Sequence, residues 1–392
     1  MPPSFLLDLT HTSHTRARTG VQRVARSIAA ALGERARPIT HDPYFGAWRD
    51  LQDWERDNLA ATAPARKRGA RWPLAARLRG YLGRAGADGT LAGAAAGEAG
   101  LLVPEIFSPS VAAALPPLLA QVRGPRVALF HDAIALQLPE LTPAKSVARF
   151  PAYLRELLAF DGIAAVSEDS RRALVDYWDW LGVSSPPPVA VVPLGIDLPA
   201  AAGPAPAGKN PPVVLCVASL EGRKNHTELL DACEQLWAGG SRFELRLVGL
   251  AQRETGQAAL EKIEELRRAG RPIRYDGPVD DATLAAAYRE CAFTVYPSLL
   301  EGFGLPVLES LSHGRPCICA GHGALGEAAR GGGCLALEST DAAGLTTAIG
   351  SLLGPGERLA SLGAAARARR FRTWADYGRE LSEWASTLPQ GS

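Results

Sequence analysis

The chain has 392 residues, 47% of them apolar and 21% charged, with a formal net charge of +1. That length exceeds one compact core and calls for two or three domains. The near-neutral balance excludes a protein whose bulk charge recruits nucleic acid. The six cysteines, all between 216 and 334 and without a C-x-x-C pair, read as buried thiols in a reducing cytoplasm rather than disulfides.

The opening MPPSFLLDLTHTSH lacks the basic and long apolar regions of a signal peptide, and no 18-residue apolar span follows. A cytoplasmic protein is expected, at most peripheral at the inner face of the cell membrane. Phe5–Leu9 reads as a buried strand. After the loop THTSHTRARTG, residues Val21, Val24, Ile28 and Leu32 fall at helical spacing, with Gly20 where the helix begins. His11 and His14 in that loop read as surface residues.

Residues 60–100 are a low-complexity insertion rich in Ala, Arg and Gly. Between Pro64 and Arg84 stand seven basic and no acidic residues, interleaved with Trp72, Leu74, Leu78, Tyr81 and Leu82. Two readings stay open for 64–84: an amphipathic segment for an anionic membrane surface, or a mobile insertion whose glycines and Pro73 break any long helix.

Alternation of strand and helix then resumes. Strands are expected at Leu101–Pro104, Arg126–Phe130, Gly162–Val166 and Val189–Val192, and helices at Ser146–Leu158 and after the capping Ser167. The run PAAAGPAPAGKNPP, 199–212, is a linker. Beyond it the apolar run VVLCVAS reads as a strand of the parallel-sheet type. Strands at Glu244–Val248, 273–275, Thr294–Tyr296, Cys317–Ala320 and Cys334–Ala336 follow, with helices between them. A last helix, 373–387, places Trp374, Tyr377, Leu381 and Trp384 on one face. The expected fold is α/β: two doubly wound, Rossmann-like domains facing a cleft at the carboxyl ends of their strands. The boundaries are 1–198, linker 199–212, 213–370, and a C-terminal helix, 371–392, crossing back.

Two stretches carry chemistry. In SLEGRKNH (219–226), Arg223 and Lys224 follow a buried strand, so two cations emerge at the sheet's carboxyl edge, and Asn225 is placed to cap the next helix. In SLLEGFGLPVLESLSHG (298–314), Glu301 and Glu309 flank a glycine turn. Gly302 and Gly304 let backbone N–H groups approach a ligand, and Pro306 suits the first helical turn. Carboxylates that bind hydroxyls, on either side of an anion-friendly helix N-terminus, describe a site for a nucleotide sugar. His322, after the strand Cys317–Ala320, is expected to face the same region.

Taken in order, TGVQRVARSI, HDAIALQLPE, VSEDSRRAL, VVPLGID, LCVASLEGRKNH and SLLEGFGLPVLESLSHGRP resemble the retaining glycosyltransferases of family 4, which have the GT-B fold. The resemblance spans most of the chain outside about 45–100. It implies that Glu301 binds hydroxyls of the donor sugar. Phe303, Gly304 and Leu305 would offer backbone N–H groups, and Glu309 would grip the ribose. Arg223 and Lys224 would neutralise the leaving diphosphate, and Gly20 would approach the same phosphate. His131 would lie near the reacting sugar, with Asp132 orienting it or its loop, and Val279 would pack on the base.

The chain has no Asp-x-Asp triplet, so transfer without a metal or other cofactor is expected. The branch resembled is rich in bacterial polysaccharide and O-antigen enzymes, with GDP-mannose the first donor and a glycan or lipid-linked acceptor. Alternatives are a nucleotide-sugar epimerase of the same fold and a non-catalytic sugar-nucleotide or glycan-binding module.

Overall fold

The structure, a computed structural model, describes residues 4–17, 20–61, 71–83, 91, 99–199, 211–354 and 356–389. The 199–212 linker and the basic stretch 64–84 therefore lie partly outside the described residues. Among the described residues no helix is long and apolar enough to cross a membrane.

The chain forms two compact units. The first comprises residues 1–132, 148–195 and 374–392, the second residues 133–147 and 196–373. Among the described residues the first unit holds seven strands: β1 (Phe5–Asp8), β2 (Ala36–Asp42), β3 (Ala47–Asp50), β4 (Gly100–Val103), β5 (Arg126–Phe130), β6 (Gly162–Ala165) and β7 (Val189–Val191). Their order is β3-β2-β1-β4-β5-β6-β7, parallel except for β3, which runs against β2 at the edge. The central strands are buried on both faces, as a sheet covered by crossover helices requires.

The terminal helix Trp374–Ser386 packs on helix Gly20–Leu32, so closely that a Cβ on Gly378 would lie in contact with Ala31 Cβ at 3.4 Å. Its buried face is Tyr377, Leu381 and Ala385, while Trp374 and Trp384 are half-buried. Ser167 caps helix Glu168–Trp180 as expected, its hydroxyl accepting from Ser170 N at 3.0 Å.

Among the described residues the second unit holds six strands, all parallel: β8 (Val213–Val217), β9 (Glu244–Val248), β10 (Ile273–Tyr275), β11 (Phe293–Tyr296), β12 (Cys317–Ala320) and β13 (Cys334–Leu337). Their order is β10-β9-β8-β11-β12-β13. Counted within the unit this is 3-2-1-4-5-6, the dinucleotide-binding order, which reverses between β8 and β11. There the loops leaving neighbouring strands diverge to opposite faces and open a crevice at the sheet's carboxyl edge. Cys216, Cys233, Cys317 and Cys319 are buried in this unit's core as free thiols.

Candidate functional site

Arg223 and Lys224 leave the carboxyl end of β8, and Glu301 follows β11, so all three stand at the order reversal of the second sheet. The β8 loop turns sharply. Gly222–Lys224 form a single 3₁₀ turn, and Asn225 takes a left-handed conformation at φ +57°, the sole non-glycine to do so among the described residues. Asparagine tolerates that region better than other L-residues. Contrary to the sequence expectation, Asn225 makes no side-chain cap to helix His226–Ala238. A capping side chain needs an extended backbone, and the left-handed turn points the amide elsewhere, to donate to Thr340 O at 2.8 Å.

Backbone and side chains then join the two loops. Leu299 N donates to Arg223 O at 2.9 Å, and the Arg223 guanidinium donates to Leu300 O at 3.2 Å. Lys224 Nζ lies 2.5 Å from Glu301 Oε1 and donates to Tyr296 Oη at 2.6 Å. Tyr296 in turn donates to the same Glu301 oxygen at 3.0 Å. Arg223 Nη1 stands 3.1 Å from the other oxygen, and its Nε is 3.3 Å from Glu221. Lys224 and Glu301 are 7% and 9% exposed, so these charges act in a low-dielectric pocket.

Burial alone would push the Glu301 carboxyl up, but Lys224 and Arg223 hold it down at about 2. Burial and the adjacent Arg223 pull the Lys224 ammonium below its ordinary range, against the pull of Glu301. Burial and the Glu301 carboxylate keep the Tyr296 phenol well above its usual range, hence protonated and a donor.

The glycine turn delivers the chain into helix Leu305–Ser312 through Gly304, at φ +95°. A Cβ there would lie 3.1 Å from Leu325 Cδ2, a side-chain tip that would have to yield, and it is the left-handed φ that calls for glycine. In its first turn Val307 N and Leu308 N donate to Gly304 O at 3.0 and 3.3 Å, and Pro306 carries no N–H, which leaves the Leu305 N–H without a partner in the helix. Phe303 and Leu305 are half-buried against the core, and Pro306 occupies the first turn as expected. Glu309 is buried, not solvated, and accepts from Tyr288 Oη at 3.1 Å. Val279 packs against a small cluster with Leu215 and Val248. His322 is exposed just before helix Gly323–Ala329, with no side-chain cap.

The structure therefore brings Arg223, Lys224 and Glu301 into direct contact. Tyr296 completes the group and was not singled out in the sequence. Its one signal was its place as the last residue of a strand leading into the glutamate loop.

The remaining candidates lie in the first unit. Gly20 is the exposed first residue of helix Gly20–Leu32. His131, after β5, is buried, and its Nε2 lies 2.7 Å from Pro104 O. A carbonyl only accepts, so Nε2 carries the hydrogen. Burial lowers the ring's pKa, against Pro104 and Asp132. A neutral ring protonated on Nε2 offers Nδ1 as a hydrogen-bond acceptor. His14 departs from its surface assignment: it is 2% exposed, with Nε2 2.7 Å from Glu55 Oε1 and its ring 4.0 Å from that of Trp72. The apolar cover comes from Trp54 and Trp72, distant in sequence.

Sequence reading also passed over Asp8 and Glu105, which end β1 and follow β4 at this sheet's own order reversal. Glu105 accepts from the backbone N–H groups of His11 and Thr12, each at 2.8 Å, and Asp8 accepts from Thr10 N at 2.9 Å. Burial raises both carboxyls to about 7, and Glu105 adds to the shift of Asp8. Their unfolded values are about 4, so the native state holds extra protons between about pH 4 and 7. Stability from these groups is full below that window and is lost as pH rises through about 7. Unfolding midpoints should therefore fall from pH 5 to pH 8, and Asp8→Asn should flatten that slope. An unchanged slope in Asp8→Asn would remove Asp8 as a source.

Residues 211–354 match the family described as Glycosyl transferases group 1. The serotype-specific mannosyltransferase WbdA of Escherichia coli is 25% identical over 343 residues, 80% of this chain and 38% of that protein. This chain thus spans well under half of that relative. A D-inositol 3-phosphate glycosyltransferase of Geodermatophilus obscurus is 33% identical over 229 residues, 54% of this chain and 49% of that protein. Among solved structures, Anabaena HepE in complex with UDP and glucose superposes with a TM-score of 0.69 at 16% identity, covering 98% of this chain and 100% of that one.

Proposed function

We propose, from the premise that this is a chain of GT-B fold whose residues 211–354 form a glycosyl transferases group 1 domain, that it is a retaining glycosyltransferase. It moves a hexose, mannose from GDP-mannose in the first instance, from a nucleotide-diphosphate donor to a glycan acceptor in polysaccharide synthesis. The observation that carries the reading is the contact of Arg223, Lys224, Tyr296 and Glu301 at the order reversal of a dinucleotide-type sheet. The mannosyltransferase name of the relative supports the sugar. The UDP bound by the structural neighbour makes the uridine donors the principal comparison.

In this reading the diphosphate lies against Arg223, Lys224 and the N-terminus of helix Leu305–Ser312, where fixed positive ends meet the charge that grows as the glycosidic bond breaks. Diphosphate oxygens would take over the donors that Lys224 and Arg223 now give to Glu301. That frees carboxylate lone pairs for sugar hydroxyls. Glu309 binds the ribose and Val279 lines the base. The sugar C1–O bond to the diphosphate breaks as the acceptor oxygen bonds to C1 on the same face. The acceptor proton passes to the departing phosphate oxygen. The two cations supply the compensation that other transferases draw from a divalent ion, so no metal is required. Gly20 and His131 keep the roles the resemblance implies. Work at the inner membrane face on a lipid-linked glycan belongs to this reading.

A thermal-shift panel of GDP-, UDP-, ADP- and dTDP-sugars, with and without EDTA, tests it. A donor at 100 times its Kd stabilises the fold by about 2.7 kcal/mol. One base should give a shift that survives EDTA and shrinks in Glu309→Ala. A shift abolished by EDTA overturns metal independence. Absence of any shift, with or without acceptor glycan, overturns the donor site.

A further inference from the structure

We propose that helix Leu74–Gly83 is a docking surface for an anionic phospholipid bilayer. The helix has two unlike sides. Its inner side is made of small residues: Ala76 and Gly80 are buried, and a Cβ on Gly80 would come within 2.8 Å of Tyr44 Cβ. At Gly83 the corresponding neighbour is Phe45 Cε2, also at 2.8 Å. The glycines that count against a helix in the sequence are thus what allows this one to sit flat on the first unit.

Its outer side carries Leu74, Leu78, Tyr81 and Leu82, which are 71%, 55%, 58% and 83% exposed. At about 100° per residue these four occupy an arc roughly 100° wide, opposite Ala76 and Gly80. On the same wheel Arg77 borders one edge of the arc and Arg79 the other, and both are exposed. Three leucines and a tyrosine pointing away from the protein, with a guanidinium on each flank, match an interfacial helix. The apolar arc enters the headgroup–acyl boundary while the arginines reach the phosphates. Charge favours this occupant over a second copy. Pairing two such helices about a two-fold axis would set arginine rows beside each other, and the segment 64–84 has no acidic residue to balance them.

The helix is also tied to the carboxyl edge of the first sheet. Arg71 N donates to His14 O at 2.8 Å, and the Trp72 ring lies 4.0 Å from His14, 5.3 Å from Tyr44 and 5.7 Å from Trp54. His14 belongs to the loop that leaves β1. A bilayer bound by the helix would therefore hold that loop at a fixed height above the lipid surface. The inference deepens the lipid-linked acceptor reading and rests on it for its purpose, not for the binding itself.

The test is cosedimentation of the full chain with vesicles of phosphatidylcholine alone and of phosphatidylcholine mixed with phosphatidylglycerol. The expected result is binding to the mixed vesicles that weakens with salt. Leu78→Glu/Leu82→Glu should abolish it with an unchanged melting temperature, since both side chains are exposed. Arg79→Ala should weaken it about fivefold. Equal binding to both vesicle types, no binding to either, or full binding by the double variant would overturn the proposal. So would a wild-type dimer that the double variant converts to monomer without any lipid binding. Transfer to a soluble acceptor glycan, measured in parallel, separates the readings. Lipid binding without transfer leaves the surface standing and removes the enzyme; transfer without lipid binding does the reverse.

Discussion

In the proposed sugar transfer, Lys224→Ala is expected to lower kcat by ~10²–10³-fold, the loss that follows removal of one preorganised group facing developing charge. Lys224 is suited to so large an effect by its surroundings. It is 7% exposed, and its ammonium is fixed by Tyr296 at 2.6 Å and Glu301 at 2.5 Å. Once a bound diphosphate has taken over the donor given to Glu301, the ammonium stays held by Tyr296 at low dielectric and needs no reorganisation as the diphosphate begins to leave. The effect should fall on kcat more than on KM, because the diphosphate gains charge in the transition state. Lys224→Arg should not restore it. A planar fork cannot occupy a point flanked by two oxygens at these distances, and the two cations are not interchangeable in such a site. Arg223→Ala should cost less, since Arg223 is 20% exposed and partly engaged by Glu221. Single-turnover rates with saturating donor would decide. A Lys224→Ala variant within threefold of wild type would remove the lysine from the reaction.

What the sequence disclosed and what it hid divide along physical lines. Buried parallel strands announce themselves as short apolar runs, and Glu244–Val248, Ile273–Tyr275 and Cys317–Ala320 fall within the bounds read from sequence. β2 escaped because its burial is polar: Thr40, His41 and Asp42 are buried, so no apolar run marks it. Helix Pro109–Gln121 escaped because Pro116 and Pro117 lie inside it, where proline ordinarily ends a helix. At the candidate site, the positions of Arg223, Lys224 and Glu301 just beyond strand ends were legible, because those strands are recognisable apolar runs. Their mutual contact was not, because the contact depends on which strands are neighbours. β8 and β11 lie about 80 residues apart in the chain and become adjacent only through the reversal of strand order. For the same reason Tyr296 and Glu105 stayed hidden: each meets a partner on another strand's loop, Lys224 after β8 for Tyr296 and His11 after β1 for Glu105.

Glu301→Gln should destabilise the second unit by about 3 kcal/mol at neutral pH, the typical cost of removing one partner from a buried ion pair. Glutamine keeps the shape but leaves the buried Lys224 ammonium with no carboxylate in contact, while Arg223 keeps Glu221 at 3.3 Å. The pH dependence gives the signature. The wild-type carboxyl is held at about 2, below its unfolded value of about 4.5. Its contribution is therefore fully present above about pH 4.5 and is lost as pH falls toward 2. The gap between wild type and Glu301→Gln should be widest at pH 7 and should close through that acid window. Adding Lys224→Met to Glu301→Gln removes the stranded charge and should recover part of the lost stability. It should recover none of the transfer activity, which needs the positive charge that methionine lacks. Urea unfolding of wild type and the two variants at pH 7 and pH 3 provides the measurement. A double variant no more stable than Glu301→Gln would mean that the cost lies in packing, and that the Lys224–Glu301 pair does not govern the stability of this crevice.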